Sequence, residues 1–322
     1  MKAKLKIVRL CDQWNWAYDH ITREQAVYSR HEIINLRLMD VKIKDLEGVD
    51  ILYIPGPNMG SSWTNPLIAN VRNTYPNCRI ICGYAGEHEI MYPDADIIVS
   101  ISAKFFPKLK EMYQARHTPV VFLPESADTE FFVPGKFPKN FTVGWSGRVA
   151  EVKRCHLLDK LAFPVIRKSD HGTTFFKEPG RSLQPMKDFY QSISALVLTS
   201  HSEAMPRVIL EAMSCGLPVI STDVGSLRMV MNNMWLVPVH PENVVVNSLN
   251  HRLSVLANYP ELAKEIGQQN RDFIVKNFSW VANQPIWDDF FNTVAKGHFV
   301  SAEILNRPYR IKYGEFEPAL LK

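Results

Sequence analysis

Residues Ser200–Gly225 read SHSEAMPRVILEAMSCGLPVISTDVG, and their pattern decides the fold. An apolar run, Leu196–Thr199, leads into this stretch, and a second, Leu217–Thr222, leads out. Pro206 suits the first turn of a helix, where a missing backbone N–H costs nothing. Val208, Ile209, Ala212 and Met213 then share one helical face, and Gly216 with Pro218 marks its end. The order is strand, loop, helix, strand. Glu203 falls on the loop, and Glu211 lies about one and a half turns into the helix. In an open α/β sheet, ligands bind beyond the carboxyl ends of the strands, which is where this loop sits. Ionised carboxylates accept hydrogen bonds only, so two held there can grip hydroxyl groups. Glutamates also suit helix starts for the dipole alone. The rest of the chain decides between these readings.

Working outward, apolar runs alternate with helical patterns throughout, which predicts repeated strand–helix units and parallel sheets. The expected strands in the first half are Leu5–Leu10, Ile33–Leu38, Val49–Pro55, Arg79–Cys82, Ile97–Ile101 and Val120–Leu123. Those in the second half are Thr142–Trp145, Thr173–Phe176, Ala195–Thr199, Val219–Ser221 and Trp235–Val239. The 322 residues allow two ordinary domains with ample apolar content for two cores. No short-period repeat or low-complexity tract interrupts them.

Lys2, Lys4 and Lys6 break up the N-terminus, and the apolar stretch after them is too short for a signal core or a membrane span. The five cysteines, Cys11, Cys78, Cys82, Cys155 and Cys215, lack paired metal spacing, so free thiols in a reducing cytoplasm are expected. Of the net charge of +4, residues 1–135 carry −1 and the remainder +5. An anionic small molecule therefore belongs with the second half. Lys104, Lys108, Lys110, Arg116 and His117 form a basic cluster, but Phe105, Phe106, Leu109, Met112 and Tyr113 give that helix an ordinary buried face.

Ser200, Glu203, Pro206, Glu211, Ala212, Met213, Gly216, Pro218 and Val219 fit the pattern S-x-x-E-G-F-P-x-x-x-x-E-A-M-A-x-G-x-P-V, with Ala204 and Met205 at its Gly-Phe positions. The stretch thus resembles the retaining, GT-B-type glycosyltransferases of family 4. Phe141–Lys153, FTVGWSGRVAEVK, resembles the same family, with Gly147–Arg148 at a strand end and Lys153 five residues on. Val120–Pro134 resembles the family's interdomain segment, with Glu125 and Ser126 in place of its Asn-Gly, and Pro260–Trp280 resembles its closing helices. The resemblance is strong over Pro119–Phe291 and thin before that.

The resemblance implies an α/β, GT-B architecture of two Rossmann-like domains facing across a cleft. Residues 1–135 would form the acceptor domain and 136–296 the nucleotide-sugar domain, with 297–322 packing back on the first. It implies a metal-independent hexosyl- or pentosyltransferase that needs no cofactor. A nucleotide-diphosphate sugar, with a UDP- or GDP-sugar foremost, is the co-substrate. Catalytic roles fall to Arg148, Lys153, Glu203 and His88, and donor contacts to Gly147, Ser202, Ala204, Met205, Pro206, Arg207, Glu211 and Gly225. The helix start after Gly225 would present N–H groups to phosphate, with Arg228 adding charge in place of the family's glutamate. The chemistry suits a diphosphate: Arg offers a hydrogen-bonding fork and Lys a mobile point charge.

In the first half, the family's glycine-rich turn is replaced by CDQWNWAYDHITREQ. Asp12, Trp14, Asn15 and Trp16 there, and Glu87 beside His88, are the acceptor-side candidates, with the loop Pro55–Pro66 as a lid. Trp14 and Trp16 serve equally well as hydrophobic support. The acceptor is open, and hydroxylated DNA bases, as in viral enzymes of this type, are one alternative. A nucleotide-sugar epimerase or hydrolase, or an inactive nucleotide-sugar-binding module, are the others.

Overall fold

The computed structural model describes residues 4–56, 61–84, 90–92, 94–169, 180 and 182–297. The chain divides into two compact units, each built on one parallel sheet. His88, Glu87, the expected strand Thr173–Phe176 and the tail beyond 297 lie outside the described residues.

The first unit holds β1 (Lys6–Cys11), β2 (Glu32–Arg37), β3 (Ile51–Ile54), β4 (Arg79–Tyr84), β5 (Ile97–Ser100) and β6 (Val120–Phe122), ordered β2-β1-β3-β4-β5-β6. Alternation along the strands sends side chains to two cores, one on each face. Val8, Leu52, Ile80 and Ile98 pack with Ile68 and Val71 of α2 (Ser61–Thr74) and Leu109 of α3 (Phe106–Gln114). Ile7, Tyr53, Ile81 and Val99 pack instead with Tyr18 and Ile21 of α1 (Ala17–Tyr28). Cys78 and Cys82 both fall in the first of these cores, as their four-residue spacing predicts.

The segment Pro55–Pro66 is only partly a loop, because α2 starts at Ser61 and carries Pro66 within it. The division of the chain also differs from expectation. The first unit ends at Glu125 rather than at 135, and it takes back a later segment that begins at Trp280. That return is α9 (Trp280–Ala295), whose Trp280, Trp287, Phe290 and Phe291 complete the core on the α1 face. The Trp280 indole N–H donates to Glu24 Oε2 at 2.9 Å, so the polar atom of a fully buried ring is satisfied.

The second unit holds β7 (Val143–Ser146), β8 (Val165–Lys168), β9 (Ala195–Leu198), β10 (Val219–Thr222) and β11 (Leu236–Val237), ordered β11-β10-β9-β7-β8. β8 was not legible in the sequence, because VIRK offers only two apolar residues and an exposed Ile166. The helices are α4 (Gln184–Ser192), α5 (Arg207–Ser214), the short α6 (Leu227–Val230), α7 (Glu242–Asn258) and α8 (Pro260–Asn277). In both sheets the strand order reverses once, between β1 and β3 and between β7 and β9. Such a reversal opens a crevice at the carboxyl ends of the strands. No helix among the described residues is long and apolar enough to cross a membrane.

α5 and α8 meet through glycine. A Cβ on Gly267 would lie 2.0 Å from the carbonyl oxygen of Gly216, and Asn270 Nδ2 donates to Leu217 O at 2.9 Å beside it. Overpacking of this kind costs about 3 kcal/mol, while alanine's helix propensity returns about 1 kcal/mol. Gly267→Ala should therefore lose about 2 kcal/mol of stability in chemical denaturation.

All five cysteines are free, and only Cys155 is not buried. Burial pushes the Cys215 thiol up to about 12 and the Cys78 thiol to about 11. Under native conditions near neutral pH, mass spectrometry should find Cys155 alkylated first and the other four protected until unfolding.

Candidate functional site

The strand-order reversal of the second sheet sets the site. β7 ends at Ser146, and the chain passes through Gly147 to Arg148, which is exposed just beyond the sheet. A 3₁₀ turn, Glu151–Lys153, follows. β9, hydrogen-bonded beside β7, ends at Leu198 and continues into Thr199–Glu203. The basic and the acidic segments that the sequence singled out thus leave adjacent strands at the same end of one sheet.

Backbone bonds clamp the two segments together. His201 N–H donates to Val152 O at 2.9 Å, and the Thr199 hydroxyl donates to Lys153 O at 2.7 Å. The centre of the clamp is Arg154. It sits in the left-handed region at φ 46° and is only 5 % exposed. Its guanidinium donates to the carbonyls of Thr199 at 2.7 Å, Ser200 at 3.3 Å and Val239 at 2.7 Å. Burial lowers its pKa from the usual arginine value. A cation that hydrogen-bonds carbonyls rather than carboxylates is committed to holding backbone. Sequence reasoning missed it, because Lys153-Arg154 reads as one basic surface pair.

With the turn fixed, the Lys153 amine reaches Glu203 Oε1, and the Ser200 hydroxyl donates to the same oxygen at 2.6 Å. The neighbouring Ala204 and Met205 are buried, while Ser202 is half-buried. Behind them runs the turn after β10. Gly225 has φ +56°, and a Cβ there would lie 2.2 Å from Ala204 O and 2.4 Å from Glu203 O. Ser226 N–H donates to Ala204 O at 2.8 Å. The Ser226 donor thus supports the Glu203 loop. Arg228 likewise turns to Asp223, with Nε 2.8 Å from Oδ2.

Pro206 caps α5, and Glu211 lies on that helix with its side chain only 7 % exposed. Arg207 Nη2 donates to Glu211 Oε1 at 2.8 Å, a spacing of four residues along one helix face. The Tyr190 hydroxyl, from α4, donates to Glu211 Oε2 at 2.8 Å. Tyr190 carried no signal in the sequence beyond its apolar helix face.

In the first unit, Asp12, Trp14, Asn15 and Trp16 share the turn between β1 and α1, at that sheet's own reversal. Asn15 is left-handed at φ 63° and donates its N–H to Asp19 Oδ2 at 2.7 Å. It supplies the backbone conformation for which a glycine was expected, since asparagine tolerates this region well. Trp14 packs against the α1-side core, which favours its reading as hydrophobic support.

Comparison with known proteins fits this geometry. Residues 172–254 match the family model described as glycosyl transferases group 1, and this span contains both Glu203 and Glu211. An uncharacterized glycosyltransferase of Methanocaldococcus jannaschii is 33% identical over 100 residues, covering 31% of this chain and 28% of that protein. A D-inositol 3-phosphate glycosyltransferase of Gordonia bronchialis is 24% identical over 253 residues, covering 64% of this chain and 53% of that protein. The chain thus spans between 28% and 53% of the length of these curated relatives. Among solved structures, a glycosyltransferase from Rickettsia africae matches with a TM-score of 0.68 at 14% identity, covering 91% of this chain and 99% of that one. Sucrose-phosphate synthase from Thermosynechococcus elongatus matches with a TM-score of 0.67 at 13% identity, covering 90% and 99%. At such identities the likeness establishes the fold, which is GT-B.

Arg154→Met removes the guanidinium from three carbonyls, of which Ser200 O keeps the Thr222 hydroxyl as a donor, and hydrogen bonds from a charged group are worth about 1.5–3 kcal/mol each. The variant should lose roughly 3 kcal/mol or more in urea unfolding.

Proposed function

We propose that this protein is a retaining glycosyltransferase that moves a sugar from a nucleotide-diphosphate sugar to an acceptor hydroxyl. The observation that carries the reading is the meeting of Lys153 with Glu203 at the strand-order reversal of the second sheet, with Glu203 inside the segment that matches glycosyl transferases group 1. Resemblance to family 4 assigns Glu211 to the ribose hydroxyls of the donor. It assigns Glu203, with the backbone at Ala204–Met205, to the transferred sugar.

Breaking the bond between the anomeric carbon and the diphosphate oxygen develops negative charge on the leaving group. Arg148 and Lys153 are preformed cations for that charge, in the place a metal ion would otherwise take. The acceptor oxygen bonds to the anomeric carbon on the face from which the diphosphate departs, and its proton passes to a diphosphate oxygen. The ion pair with Glu203 holds the Lys153 amine at this end of the sheet. Asp12, Asn15 and Trp16 are proposed on the acceptor side. The epimerase, hydrolase and DNA-base readings gain no support from the relatives or the structures matched.

Turnover of UDP-, GDP- and ADP-sugars with Arg148→Ala and Glu211→Ala tests the assignment. Arg148→Ala should lose on the order of 10²-fold in kcat, the usual cost of removing one charge-stabilising donor. Glu211→Ala should mainly raise KM for the donor. Near-normal kinetics in both variants would overturn the reading.

A further inference from the structure

We propose that Tyr190 is a positioning residue that orients the Glu211 carboxylate for a ribose diol, and so sets a preference for ribonucleotide over deoxyribonucleotide donors. The inference rests on the donor reading above and extends it to a residue that no motif includes.

Glu211 is gripped from two sides. Arg207 reaches Oε1 with Nη2 at 2.8 Å and Nε at 3.2 Å, and the Tyr190 hydroxyl reaches Oε2 at 2.8 Å. A carboxylate held at one oxygen can still swing about its terminal torsion, which is broad and roughly two-fold. Held at both, it has one plane, and a diol must donate to it from a fixed direction. Arg207 lies four residues away on the same helix and shares any motion of α5. Tyr190 comes from α4 and ties the carboxylate to a separate element.

The phenol itself is fixed. Tyr190 is fully buried, with its ring edge-on to Phe132 at 5.9 Å and tilted against Phe189 at 5.5 Å. Burial, and next the charge of Glu211, push the phenol well above its usual pKa. The hydroxyl therefore stays a donor throughout the working range of pH. A buried tyrosine needs some partner for its hydroxyl. Here that partner is the very carboxylate proposed to read the ribose.

Titration calorimetry with UDP, GDP and ADP and their 2′-deoxy counterparts tests the proposal on the intact chain. Wild type should bind its best ribonucleotide about 10-fold or more tightly than the deoxy form, as a hydrogen bond to a charged acceptor implies. Tyr190→Phe should cut that ratio to within about threefold while retaining binding. Incorporating 3-fluorotyrosine at position 190 keeps the shape and strengthens the donor, so the ratio should rise. This second variant decides the matter if Tyr190→Phe fails to fold. A ratio unchanged in both variants would overturn the role of Tyr190 alone, and a ratio near one in wild type would overturn the ribose assignment of Glu211 with it. No nucleotide binding by wild type would overturn the donor reading together with it.

Discussion

The second unit depends on a buried guanidinium. Arg154 gathers the carbonyls of Thr199, Ser200 and Val239, which follow β9 and β11, two strands separated in the sheet by β10. Strand ends leave carbonyls that the ladder no longer satisfies, and burying them unpaired is costly. One planar fork with several donors serves three of them at once, where a lysine ammonium could not match the geometry. The same residue ends the turn that carries Lys153, so holding the backbone and placing the amine are one event. The left-handed conformation of Arg154 is the local cost, and its three charge-assisted hydrogen bonds offset it.

Around that staple, topology does the rest. Parallel sheets whose strand order reverses once must part their loops at the reversal. In the second unit the parted loops carry Arg148 on one side and Glu203 on the other. The Glu203 loop is braced from beneath by the turn at Gly225, which can lie so close only because it lacks a Cβ. Glu211 is braced differently, by Arg207 along its own helix and Tyr190 from the next. The two acidic groups are separated by seven residues in sequence, yet each has its own basic partner and its own supporting element.

The first unit shows the same logic with different residues. Asn15 takes a left-handed position in the β1–α1 turn, a conformation that asparagine tolerates. α9 returns across the chain to cover the α1 face of the sheet with Trp280, Trp287, Phe290 and Phe291. Those aromatic residues bury large apolar areas, which explains why α9 belongs to the first core.

What the sequence determined alone was whatever rests on short-range pattern. Apolar runs marked ten of the strands now seen, since β-strands buried on both faces need little else to be legible. The spacing of Pro206, Glu211 and Gly216 fixed α5 and the place of its carboxylate, because helical periodicity is a local property. Only the tertiary structure decided the partners. Arg154 and Tyr190 were not singled out in the sequence, and α9 fell within the expected second domain. Each is defined by groups dozens to hundreds of residues away, and a hydrogen bond across such a separation leaves no period in the chain for a reader to find.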